Sequence, residues 1–98
     1  MIKIVAKMHL KEGVLDEFKA LTIDLCEKAR AEEGNCGEYT FNKNIEDPRD
    51  ICVVEFWRDM AAIEFHNATE HFTTILPKLG EMTIPGQPVD LFTEIEYD

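Results

Sequence analysis

Residues 2–10, IKIVAKMHL, alternate in polarity: Ile2, Ile4, Ala6, Met8 and Leu10 fall on one side of an extended chain, Lys3, Lys7 and His9 on the other. That is the pattern of a strand with one face in a core. Beyond Gly13 the period lengthens. Leu15, Phe18, Leu21, Leu25 and Ala29 recur at helical spacing, with Asp16 and Glu17 where the first turn favours negative charge. The spacing predicts a helix from Val14 to about Glu33, stopped at Gly34-Asn35. Two β-rich stretches follow, Cys36 to Lys43 and Ile51 to Trp57, joined by the turn chemistry of NIEDPRD. Antiparallel folding about that loop sets Cys52 near Asn42 and Trp57 near Gly37 or Glu38. Helical spacing returns over Met60 to Ala68. Thr69 can cap a further helix beginning at Glu70, which Pro77 should kink or interrupt and Gly80 should end. The alternating VDLFTEIEY, from Val89 to Tyr97, is the last strand.

The resulting order is β-α-β-β-α-β, an α+β fold of the ferredoxin-like kind with an antiparallel sheet and helices on one face. No repeat or linker divides the 98 residues, so a single domain over 1–98 is expected. The face of the sheet away from the helices carries Val5, Cys52, Val54 and Phe56, a patch too apolar to leave in water. Pairing that face with a second copy would bury it, which predicts a homodimer.

Charge narrows the function classes. Twenty acidic residues against ten basic ones give a net charge of −10, and the basic residues form no stripe. A phosphate backbone or an anionic membrane would be repelled, so neither nucleic acid nor membrane is an expected partner. No apolar run approaches the roughly 20 residues that span a bilayer, and the expected location is cytoplasmic. Cys26, Cys36 and Cys52 are odd in number and lack CxxC spacing, which fits a reducing compartment.

The chemistry-bearing stretch is EFWRDMAAIEFHNATEHF, Glu55 to Phe72. Glu55 and Trp57 share the face of Ile51 and Val53, the side toward the helices. A Glu there is costly unless it is paired, protonated or beside a cavity. On the following helix Ala62, His66 and Thr69 form one stripe with Phe65 at its border, so His66 points inward. His66 and His71 are not at the i, i+4 spacing of a helical zinc pair and no third ligand stands out, so no metal is expected.

These residues resemble the antibiotic biosynthesis monooxygenase domain family. The likeness lies in E-x-W-x-D-x-x-A-x-x-x-H-x-x-x-x-H-F, from Glu55 through Trp57, Asp59, Ala62, His66 and His71 to Phe72, with Glu46-Asp47-Pro48 and Tyr39 at fitting distances upstream. It runs from the first strand to the last. The resemblance implies a dimeric α/β-barrel-type assembly and a pocket between sheet and helices. It further implies oxygenation of a quinol or anthrone-type aromatic with no cofactor, neither metal nor flavin. The haem-degrading branch fits poorly, because Ala6 and Lys7 stand where an Asn is needed and Leu76 stands near the iron-ligand position.

Oxygenation without a cofactor needs a base, an apolar pocket and a group that stabilises an anion. In that scheme His66 is the base, and Trp57 and Phe72 hold a flat ring by stacking. His71, at a helix start that disfavours positive charge, either donates to a developing oxyanion or joins the Thr69 cap. Glu55 orients one of the histidines and Tyr39 lines the pocket. The partners are then a small-molecule substrate and O2. Two other classes share these residues: an isomerase or degradation enzyme for a small carbonyl metabolite, and a non-catalytic ligand-binding dimer.

Overall fold

A computed structural model describes residues 1–97. The order is β1 (Ile2–Leu10), α1 (Leu15–Arg30), β2 (Asn35–Lys43), β3 (Asp50–Trp57), α2 (Met60–Asn67), α3 (Glu70–Met82), β4 (Thr83–Ile84) and β5 (Val89–Thr93). The antiparallel sheet runs β2-β3-β1, and β4 and β5 both lie along the far side of β1. This is the expected ferredoxin-like arrangement. The alternation of β1 and β3 sets the layers. Ile4, Ala6, Leu10, Ile51, Val53 and Trp57 are buried with Phe18, Leu25 and Ala29 of α1 and Ile75, Leu79 and Met82 of α3. On the opposite face Val5, Cys52, Val54 and Phe56 stay half-buried.

Four details differ from expectation. First, α1 ends at Arg30 rather than near Glu33. Glu32 and Glu33 instead form a turn, with the Asn35 amide donating to the Glu32 carbonyl at 3.0 Å. The turn lets Gly34 pass directly against α2, where a Cβ would overlap that of Ala62.

Second, β2 carries an irregularity. Asn42 pairs with Cys52 as expected and Tyr39 with Glu55, yet Trp57 stands opposite Asn35 rather than Gly37 or Glu38. The extra residues are taken up where Gly37 adopts φ +88°, a conformation costly for other residues. The Asn35 side chain closes the bulge, accepting from the Gly37 amide at 2.8 Å and donating to the Glu38 carbonyl at 3.0 Å.

Third, α3 runs through both Pro77 and Gly80 to Met82. A proline inside a helix costs about 3 kcal/mol, whereas burying Ile75, Leu79 and Met82 gains about 1.5–3 kcal/mol each. Packing wins.

Fourth, the last strand stops at Thr93 instead of reaching Tyr97. Its partner runs out, because Thr93 already pairs with Ile2.

Candidate active site

Three turns and strand ends bring one cluster together. Asp59 caps α2, its side chain accepting from the Ala62 amide at 2.9 Å, and the helix then turns Ala62, Ile63 and His66 inward. The chain breaks at Ala68. Thr69 ties the two helices together: its hydroxyl donates to the His66 carbonyl at 2.7 Å and accepts from the Phe72 amide at 3.4 Å. That cap sets His71 and Phe72 in the first turn of α3, beside His66. Trp57 reaches the same place from the end of β3, and Tyr39 from β2.

The rings pack closely. The His66 centroid lies 4.7 Å from Trp57, 4.8 Å from Phe72 and 5.2 Å from Tyr39. Trp57, Tyr39 and His66 are 0%, 2% and 1% exposed, so this part of the cluster is sealed, while Phe72 and His71 are half-buried at its edge. Phe65, placed at the border of the inward stripe, stands in solvent at 67% exposure.

The acid that meets the histidines is Glu32, not Glu55. One oxygen, Glu32 Oε2, lies 2.6 Å from His66 Nδ1 and 2.9 Å from His71 Nε2. Glu55 is committed elsewhere: its Oε1 accepts from Trp57 Nε1 at 2.8 Å. Sequence reasoning missed Glu32 because it sits in a turn, where no periodicity says which of two adjacent acids faces inward. The only hint was Gly34, which lets that turn approach α2.

Electrostatics follow from burial. Desolvation pushes the Glu55 carboxyl above its ordinary range, against the opposing Trp57 hydrogen bond and with help from the nearby Glu32 charge. It also pushes the Tyr39 hydroxyl upward, so Tyr39 stays protonated. Burial lowers His66, although the hydrogen bond and charge of Glu32 pull the other way. Geometry agrees with a neutral His66. Among the described residues its Nε2 is buried without a hydrogen-bond partner, as is Glu32 Oε1, and an imidazolium would strand a donor there. The consistent tautomer has Nδ1–H donating to Glu32 and the Nε2 lone pair free.

Grooves flank the cluster on two sides. One of about 480 Å³ is lined by Asp24, Leu25, Lys28, Glu70, His71 and Ile75 between α1 and α3. The other, about 440 Å³, is lined by Glu32, Gly34, Arg58, Ala62 and Phe65. The assumption that no third ligand-type group accompanies the histidines does not hold, since donor atoms of Glu32, His66 and His71 all lie within 4.8 Å of one another.

Against known proteins, a family model described as "Antibiotic biosynthesis monooxygenase" matches residues 1–78. The chain belongs to that family. A Bacillus subtilis protein named "Putative monooxygenase YcnE" is 33% identical over 91 residues, 93% of each chain. The Synechocystis protein sll1783 is 29% identical over 91 residues, 93% of this chain and 61% of its own length. A crystal structure described as an antibiotic biosynthesis monooxygenase superposes with a TM-score of 0.91 at 30% identity, covering 98% of this chain and 100% of that one. A conserved protein from Methanosarcina mazei Go1 gives 0.90 at 28% identity over 96% and 92%. Membership supports a general monooxygenase-like, oxidoreductase character. Among the described residues no helix is long and apolar enough to cross a membrane.

Proposed function

We propose that this protein is a cofactor-independent monooxygenase acting, as a homodimer, on a small electron-rich aromatic such as a quinol or an anthrone-type compound. The observation that carries the reading is His66, held through Nδ1 by Glu32 at 2.6 Å with Nε2 buried and unpartnered. A carboxylate that fixes one imidazole nitrogen leaves the other oriented as a general base. Nε2 removes a proton from the substrate, and the electron-rich anion passes an electron to O2. The radicals combine at carbon, and loss of water from the resulting hydroperoxide leaves a carbonyl. For an anthrone methylene the balance is one O2 consumed, one oxygen inserted and one water released, with the substrate supplying every electron.

Trp57 supplies a flat wall beside the base. Because Trp57, Tyr39 and His66 are sealed, substrate gains access by displacing the half-buried Phe72 and His71. Glu55 keeps the indole in place through its 2.8 Å hydrogen bond. The test is turnover of reduced menadione-like quinols under air, following product and O2 uptake. His66→Phe, which keeps ring packing, and His66→Ala should both lose about 10²–10⁴-fold in rate. Rates equal to wild type would remove the base assignment. A base held this way also serves proton transfer without O2, so isomerisation of a small carbonyl compound is the second reading. Turnover without O2 uptake would select it.

A further inference from the structure

The Glu32 side chain is only 6% exposed, and among the described residues its ionic partners are His66 and His71 alone. Arg58, in the adjoining groove, is engaged by Glu33 at 4.0 Å and Asp59 at 3.5 Å. A buried carboxylate needs a compensating positive charge. Among the described residues no lysine or arginine pairs with Glu32, and a second buried acid, Glu55, lies in the same cluster. A bound cation would supply that charge.

The donors suit a cation. One carboxylate and two imidazoles converge from three separate segments, all donor atoms lying within 4.8 Å of one another, and Glu32 keeps a second buried oxygen without a partner. Two histidines and a glutamate are a recurrent ligand set for zinc, and two histidines with one carboxylate recur for other divalent first-row metals. We propose that Glu32, His66 and His71 form a binding site for a divalent first-row transition-metal ion, best matched by Zn2+. Bonds of about 2.0–2.1 Å in a tetrahedral arrangement set the donors about 3.3–3.4 Å apart. The two N···O separations, 2.6 and 2.9 Å, must open by about 0.4–0.8 Å to reach that spacing. The imidazole nitrogens must close instead, and the freedom for that lies with His71, 20% exposed on the groove between α1 and α3. Asp24 and Glu70 line the same groove opposite Lys28 and Lys78, so the groove itself carries no net charge and the pull on a cation comes from Glu32.

The site does not rest on the oxygenase reading and limits it. A metal on His66 Nδ1 leaves the ring proton on Nε2, so the loaded protein has no free base and should turn over quinols more slowly than the metal-free protein. Binding itself is measured without substrate, so failure of one proposal is distinct from failure of the other. The experiment is calorimetric titration of chelator-treated full-length protein with Zn2+, paired with Co2+ absorption spectra. Saturation at one ion per chain with nitrogen–oxygen coordination is expected. Loss of a supporting contact around a metal costs about 10–100-fold in affinity, so Glu32→Gln, which loses a ligand, should weaken binding by at least that factor. His71→Ala should do the same. It lies at the edge of the cluster and spares the fold, and thermal melting of both variants checks that they remain folded. No saturable binding by the wild type overturns the proposal. So does binding that survives unchanged in both variants, or a Co2+ spectrum dominated by thiolate charge transfer, which would place the ion on cysteine.

Discussion

Glu55 and Glu32 are both buried acids, yet their surroundings ask different things of them. Glu55 is 8% exposed and satisfied by one indole N–H, and burial favours its neutral form. The unfolded chain therefore binds fewer protons here than the folded one. Stability contributed by Glu55 is complete below the ordinary carboxyl range and is lost as pH rises through its raised folded value. Glu55→Gln keeps an acceptor for Trp57 and removes the charge, so the variant should be more stable than wild type at pH 7 and lose that advantage near pH 4. Urea denaturation at the two pH values checks this, and an equal offset at both would show that charge burial is not the cause. Glu55, Trp57 and His66 were legible from the chain because a period of two or 3.6 tells which way each side chain points. Glu32 was not, because a turn has no period.

At the level of elements, the junctions decide the site. The turn after α1 brings Glu32 inward only because Gly34 can lie against Ala62. Gly34→Ala should overpack that contact and destabilise the fold by about 1–3 kcal/mol, read as a lower denaturation midpoint. It should also loosen the Glu32–His66 pair and lower quinol turnover. An unchanged midpoint would mean that the turn can shift freely. The Thr69 cap was readable, since a Thr ahead of Glu70 and a change of stripe mark a new helix start. Continuity of α3 across Pro77 was not, because local propensity predicts a break and only the burial of Ile75, Leu79 and Met82 overrides it. The bulge in β2 was equally hidden. A glycine at position 37 permits one, but the mismatch between β2 and β3 exists only once they pair.

For the whole molecule, the uncovered sheet face is the feature still seeking a partner. Val5, Cys52, Val54 and Phe56 form its centre, and Phe92, 52% exposed, stands on the same face opposite Lys3. We expect the wild type to migrate as a dimer in light-scattering chromatography and Val54→Lys, in the middle of that face, to migrate as a monomer. A wild type that is monomeric at micromolar concentration would remove the homodimer. Apart from the two-residue β4, the order of strands and helices, the inward face of each and the gathering of Trp57, His66 and Phe72 on one side of the sheet all follow from periodicity, a local property carried by consecutive residues. Which acid meets the histidines, how β2 absorbs its extra residues and where β5 ends depend on contacts between segments far apart in the chain. Those contacts follow from shape and free volume, such as the space that Gly34 leaves beside Ala62, and no run of consecutive residues encodes them.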